Sequence, residues 1–173
     1  MVDTTQRSVM RNLVAITLLL ISSTSPARAQ DAVFSTKSLT PEAALTAAKA
    51  AMESCRKNGF QVAVAVVDRA GITQVLLRDR FAGPHTVEVS ANKAWTAVSF
   101  RTATTALAVE THANKPMSGL RNQPRFLAAG GGIPIEGGGS LLGGIGVSGA
   151  PGGDADDACA KVGILAIADA LEF

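Results

Sequence analysis

Between Gly130 and Gly153 the chain reads Gly-Gly-Gly-Ile-Pro-Ile-Glu-Gly-Gly-Gly-Ser-Leu-Leu-Gly-Gly-Ile-Gly-Val-Ser-Gly-Ala-Pro-Gly-Gly, with twelve glycines in 24 residues. A flexible linker would carry serine and other polar residues at the intervening positions. Here Ile133, Ile135, Leu141, Leu142, Ile145 and Val147 occupy them. These glycines therefore belong inside a packed structure, where they permit positive φ and let a second backbone or a flat ligand come close. The pattern predicts two short strands with glycine-built turns, running into the N-terminus of a last helix. The rest of the chain has to pack on this segment.

Upstream, Thr40-Pro41 opens a helix with a capping hydroxyl and a proline at the first helical position. Ala44, Leu45, Ala48, Met52 and Cys55 share one face, and Gly59 stops the helix after Lys57. Phe60 to Val67 is almost wholly apolar and valine-rich, as a strand buried on both faces would be. Asp68-Arg-Ala-Gly71 is a hairpin turn, and Ile72 to Arg78 returns as the partner strand. After a loop through Phe81 and His85, Thr86 is placed to cap a helix with an apolar stripe of Val87, Ala91, Ala94, Trp95 and Val98, leaving Lys93 on a flank. Thr104 is placed to cap a shorter helix through Ala106, Leu107 and Val109, and Thr111 to Gln123 reads as loop. Phe126 to Ala129 is expected to begin the sheet again, and Asp154, Asp156 and Asp157 fall in the first turn of the final helix, where acidic groups suit the dipole. Hairpins at both ends of the sheet indicate an α+β domain with a mostly antiparallel sheet flanked by helices.

The N-terminus has the parts of an export signal. Arg7 and Arg11 precede a mainly apolar run, Leu13 to Ile21, and Ala27-Arg28-Ala29 supplies an A-x-A cleavage site. The apolar run is too short to span a bilayer. The expected organisation is a signal peptide over 1–29, an N-terminal extension over 30–37 and a single domain over 38–173, with the mature protein periplasmic or secreted and not inserted in the membrane. Without the leader, basic and acidic side chains are equal in number, so no nucleic-acid surface is expected. Cys55 and Cys159 could pair in an oxidising compartment, or could stand as small buried residues on two helices. Neither a CxxC nor a cysteine–histidine cluster is present to suggest structural zinc.

Several motifs occur in order: Lys93-Ala-Trp-Thr-Ala97, Phe100, Thr104, Gly131-Gly-Ile-Pro-Ile135, Gly143-Gly-Ile-Gly-Val-Ser-Gly149 and Asp157-Ala-Cys-Ala160. Together they resemble the GlcG/HbpS family of haem-binding proteins, whose domain also forms the C-terminal part of PduO-type proteins. The resemblance spans about residues 38 to 173. It implies a profilin-like α/β/α sandwich with a five-stranded antiparallel sheet, and homo-oligomers from dimers up to octamers. It also implies haem binding by secreted members, with links to haem degradation, iron binding or redox sensing. In the position where relatives often read Arg-x-Asp-Gly, this chain has Arg80-Phe81-Ala82-Gly83. The missing acidic residue leaves the family's metal-binding acidic clusters without a counterpart, and no metal site is expected.

Haem needs an apolar slot, partners for its propionates and usually an axial ligand. The residues singled out for this cofactor are Thr104, His85, Phe81, His112, Gly152 and Gly153. His85 and His112 are the histidines of the chain, and Met52 and Met117 are possible thioether ligands, of which Met52 reads as core. The resemblance implies that the Thr104 hydroxyl faces the iron; on its own sequence Thr104 reads as a helix cap. Gly152, Gly153 and Asp154 place backbone N–H groups at a helix N-terminus, a site for a propionate or another small carboxylated ligand. Arg78, Arg80, Arg101 and Arg125 could meet carboxylates or stay solvated. Asp68 is accounted for by its turn. No Ser-His-Asp set, P-loop or H-E-x-x-H pattern is present, so no catalytic residues are assigned. The expectation is an exported haem-binding protein, with an accessory protein or enzyme acting on a small organic acid as the alternative.

Overall fold

The computed structural model describes residues 32 to 172. The signal peptide expected over 1–29 lies outside the described residues. From Thr36 onward the chain forms one compact unit. Its elements are α1 (Pro41–Lys57), β1 (Ala63–Asp68), β2 (Thr73–Arg78), α2 (His85–Phe100), α3 (Thr104–Glu110), β3 (Gly132–Gly137), β4 (Ser140–Ser148) and α4 (Gly153–Leu165). Short 3₁₀ turns lie at Ser118–Asn122, between α3 and β3, and at Ala168–Leu171, after α4.

The four strands form one sheet in the order β2-β1-β4-β3, with every neighbouring pair antiparallel. Alternation along β1 and β4 divides the sheet into two unlike faces. Val64 and Val66 pair with Val147 and Ile145, and these four side chains join the main core under α1 and α4. The opposite face carries Ala63, Ala65, Gly144 and Gly146, and α2 lies on it. A methyl group on Gly146 would stand 2.0 Å from the Ser90 carbonyl oxygen, and one on Gly132 would stand 2.5 Å from that of Lys93. The helix backbone thus rests almost directly on the sheet backbone, which only glycine permits.

This contact explains why the buried side of α2 is unusual. Thr86, Ser90, Lys93, Ala94, Thr96 and Ala97 are buried, whereas Trp95 is only partly so. The apolar stripe expected from spacing is rotated toward small and polar residues, because a bare sheet face offers no room for bulky ones. Lys93, expected on a flank, is 4% exposed.

On the other layer, α1 and α4 pack closely through Ala47, Ala51 and Gly163, where an added methyl would meet the Ala47 carbonyl oxygen at 2.7 Å. Cys55 and Cys159 are joined by a disulfide across this contact, 104 residues apart in sequence. Closing a loop of that length stabilises a fold by about 4 to 5 kcal/mol in the chain-entropy model.

Several expectations hold. Thr40 caps α1 by accepting from the Ala43 N–H at 3.3 Å, with Pro41 at the first position. Gly59 has φ +81° just beyond the helix. Asp68 organises its turn by accepting from the N–H groups of Ala70 (2.8 Å) and Ile72 (2.9 Å). The glycine stretch forms the β3–β4 hairpin and leads into α4, with Gly138 and Gly139 at positive φ in the turn.

Others are corrected. The sheet has four strands and not five. The Phe126–Ala129 segment does not join it, because the Phe126 N–H turns back to the Gln123 carbonyl and the Leu127 N–H is taken by a side chain of α2. The Leu127 N–H donates to Thr96 Oγ1 at 3.0 Å, and Thr96 Oγ1 donates to the Arg125 carbonyl at 3.3 Å. Leu45, expected in the core, is 37% exposed. Thr86 and Thr104 are not caps. Pro84 and Ala103 hold the cap positions, and the Thr86 hydroxyl donates back to the Gly83 carbonyl at 2.6 Å.

Two glycines separate packing from backbone conformation. Gly146→Ala should lower stability by about 1 to 3 kcal/mol through overpacking. Gly152→Ala should be nearly neutral, since Gly152 is extended (φ −170°) and has nothing within 4 Å of a would-be methyl. Urea unfolding monitored by circular dichroism checks both, and equal effects at the two positions would refute the close-contact account.

Candidate functional site

A cleft of about 500 Å³ opens beside the end of β4 and the start of α4. Its lining includes the Ser148–Gly153 segment and the adjoining Phe60 and Gln61, the exposed Phe81 and His85 with Gly83 between them at the mouth, and the buried Lys93 and Asp156. Its size falls within the roughly 300–1,000 Å³ of small-molecule sites.

The mouth is built by the loop from β2 into α2. Asp79, 2% exposed, anchors that loop. It accepts two hydrogen bonds from Arg56, from Nε at 2.6 Å and from Nη2 at 2.9 Å, and a third from the Arg80 N–H at 2.9 Å. The Arg56 hydrogen bond holds the Asp79 carboxyl below its usual range, against the opposing effect of burial. Two residues on, Phe81 stands 80% exposed, a large apolar group held in solvent. His85 is exposed in the first turn of α2 with its ring against Gly83, and it makes no hydrogen bond to any described residue.

The interior is charged. Lys93 Nζ donates to Asp156 Oδ2 at 2.7 Å and to the Val147 carbonyl at 2.9 Å. Asp156 Oδ1 accepts from the Ala150 N–H at 3.1 Å, so this pair ties α2, β4 and the Ser148–Gly153 loop together. Burial pushes the Asp156 carboxyl up, while Lys93 pulls it the other way. Asp157 is buried beside it and accepts from the Gly131 N–H and the Thr105 hydroxyl. Of the three aspartates expected merely to favour the helix dipole, only Asp154 is left exposed at the surface. The Gln61 Oε1 atom is buried with no hydrogen-bond partner among the described residues. The N–H groups of Gly153, Asp154 and Ala155 begin α4 and have no acceptor within the helix.

Four of the six residues singled out from sequence meet at this cleft: His85, Phe81, Gly152 and Gly153. Two lie elsewhere. Thr104 is fully buried, its hydroxyl donating to the Gly132 carbonyl at 3.3 Å and accepting from the Gly132 N–H at 2.9 Å. His112 is exposed beyond the end of α3, with Nδ1 at 3.3 Å from the Ala113 carbonyl oxygen. Sequence reasoning missed Lys93, Asp156 and Gln61. The available signal was the spacing of Ser90, Ala94 and Ala97 around Lys93, small residues that mark a helix face pressed onto bare backbone. Among the described residues no group of three or more histidine, cysteine, aspartate or glutamate side chains could hold a metal ion, and no helix is long and apolar enough to cross a membrane.

A four-stranded antiparallel sheet between helical layers, with a glycine-lined cleft beside the end of β4, defines a small α+β domain. Comparison with known proteins gives the family. The chain belongs to the haem degrading protein HbpS-like family, whose model matches residues 39–165. The structure of a double mutant of HbpS from Streptomyces reticuli is similar at 40% identity and a TM-score of 0.74, over 82% of this chain and 95% of that one. A structure described as a PduOC:haem complex is similar at 31% identity and a TM-score of 0.71, over 75% and 95% of the two chains. The corrinoid adenosyltransferase PduO of Salmonella typhimurium is 34% identical over 103 residues, which are 58% of this chain and 31% of that protein. The chain thus spans about a third of the length of that relative.

Two measurements test this geometry. Because the Asp79 carboxyl is held low, its contribution is present above the ordinary carboxylate range and is lost as pH falls through its folded value. Asp79→Asn should therefore cost about 1 to 2 kcal/mol near neutrality and progressively less in acid; unfolding curves from pH 7 to 3 report this, and a constant difference would refute it. Lys93→Met should cost about 3 to 5 kcal/mol by stranding a buried carboxylate. The double variant Lys93→Met with Asp156→Leu should recover a large part of that loss in the same unfolding assay.

Proposed function

We propose that this protein is an exported, homo-oligomeric haem-binding protein that handles haem or its iron outside the cytoplasm, and that the porphyrin enters the cleft between His85 and the start of α4. The observation that carries the reading is His85, an exposed imidazole without a hydrogen-bond partner among the described residues, which lines with an exposed phenylalanine a cleft walled by glycine backbone. Those residues fit the group. A neutral imidazole is a haem-iron ligand. Phe81 offers an apolar face to a ring. Gly152, with open space where a Cβ would stand, lets a flat molecule approach the backbone.

Family membership supports haem as the ligand, as does similarity to a PduOC structure whose own description includes haem. Bound haem would supply a redox-active iron. The chain's part is to hold the iron through His85, to shield one ring face with Phe81, and to meet negative charge with the N–H groups of α4. Thr104 acts at a distance, by fixing Gly132 under α2. The Cys55–Cys159 disulfide supports export, since such bonds persist in oxidising compartments. The signal sequence and the homo-oligomer implied by the family complete the proposal.

Titration of the mature protein with hemin tests it. A saturable Soret shift at micromolar protein is expected, and no shift overturns the reading. His85→Ala should change the spectrum of the bound form; an unchanged spectrum removes His85 as ligand while leaving haem binding intact. Native mass spectrometry of the same sample gives the number of subunits, and a monomer would overturn that part.

A further inference from the structure

Asn58 is the only asparagine of the chain that is followed by glycine. In such a pair the asparagine side chain turns most readily against its own main chain, because glycine has no side chain to obstruct the next peptide nitrogen. Both residues are exposed, and a methyl group built on Gly59 would meet nothing within 4 Å. They stand where α1 ends, and the chain continues from Gly59 through Phe60 and Gln61 along the lining of the cleft. The helix end holds the pair in an unreactive form. Ring closure needs the Gly59 nitrogen on the same side of the Cα–C bond as the Asn58 side chain, and a ψ of 7° at Asn58 turns it away. The Gly59 N–H donates to the Arg56 carbonyl at 2.9 Å, and Asn58 Nδ2 donates to the Ser54 carbonyl at 2.9 Å. Arg56 is itself fixed by its two hydrogen bonds to Asp79, the residue that anchors the mouth loop.

We propose that Asn58 is a deamidation site latched by the Arg56–Asp79 pair, which reacts when the last turn of α1 opens. Helix ends open locally at far lower cost than the whole domain. In the open form the Gly59 nitrogen, having lost its proton to base, attacks Asn58 Cγ. A Cγ–N bond forms, the Cγ–Nδ2 bond breaks, and Nδ2 leaves as ammonia, so a cyclic imide remains. Water then adds to one of the two imide carbonyls. Opening on the side-chain side gives aspartate, and opening on the main-chain side gives isoaspartate, with the main chain rerouted through Cγ. Either product puts a carboxylate at the negative end of the helix dipole in place of the amide that donated to Ser54. Isoaspartate also lengthens the main chain by one methylene just ahead of Gly59 and Phe60, which displaces the cleft lining. The anchor that shapes the mouth of the cleft thereby also protects its lining from chemical ageing.

Peptide mass spectrometry of the mature protein held at mildly alkaline pH tests this, by following the replacement of NH by O at each asparagine and resolving the isoaspartyl form. The reference is the same chain, reduced, alkylated and unfolded in guanidinium. There Asn58 should react first, ahead of Asn114, which is exposed in the folded protein but followed by lysine. Another order overturns the site. In the folded wild type the Asn58 reaction should be at least about tenfold slower, because the reactive form needs local opening. A rate equal to that of the unfolded chain overturns the protection. Asp79→Asn, which weakens the latch, should raise the folded-state rate about fivefold or more. Gly146→Ala, which lowers stability from a distant contact, should leave it unchanged. No acceleration in Asp79→Asn, or equal acceleration in both variants, overturns the latch. Asn58→Asp reproduces one product and should lower the melting temperature, and an unchanged melting temperature overturns the structural consequence.

Discussion

The contact on which the rest of this structure depends is that of α2 with the bare face of the sheet. Gly144, Gly146 and Gly132 present no side chains, so the helix comes down until its carbonyls nearly touch the strands. Dispersion and the exclusion of water reward this approach, because a gap of even half an ångström forfeits much of the contact energy. The approach also dictates what α2 can carry on its inner side. Alanine, serine and threonine fit there, and a lysine fits only by running its stem along the interface to a carboxylate at the far end. The buried charge of the protein is thus a result of glycine placement in another element.

That charge in turn shapes the end of the molecule where the cleft opens. Lys93 and Asp156 draw α2, β4 and the loop before α4 to one point, while Asp157 does the same for Gly131 and Thr105. Two adjacent aspartates on one helical turn therefore fix both sides of the chain crossing where Gly130 and Gly153 pass, so close that a methyl on either would meet the other's backbone at 2.8 Å. Buried ion pairs add little stability over an apolar equivalent. Their value here lies in directing loops that have few side chains of their own. A glycine-rich segment has no other means of holding one conformation.

The sequence made much of the layer order legible and left part of the site dark. The α1 cap, the Asp68 turn, the all-apolar β1 and the β3–β4 hairpin follow from local chemistry that does not need the rest of the chain. The fifth strand is absent because, in a stretch of strand-like residues, the Phe126 N–H is taken by the Gln123 carbonyl and the Leu127 N–H by Thr96, a partner some 30 residues away. Lys93 was misplaced for a related reason: helical periodicity identifies which residues share a face, but here the buried face was chosen by small size and not by hydrophobicity. His85, Phe81 and the Gly152–Gly153 pair line one cleft, a placement that loop edges and helix starts favour because they are exposed by construction. Thr104 and His112 were chosen by resemblance and residue type, which carry no information about which way a side chain is turned.

The disulfide has a consequence for the covalent integrity of the molecule. Cys55 sits on the first helix of the domain and Cys159 on its last, so the bond encloses all four strands, α2 and α3. The most exposed stretch within that ring is the loop from His112 to Arg125, where an endoprotease would find arginine and lysine side chains in solvent. A cut there would open the ring without separating the pieces. Both halves would remain bonded through α1 and α4 and wedged together by the shared sheet. Such a molecule, once nicked, would still keep its cleft.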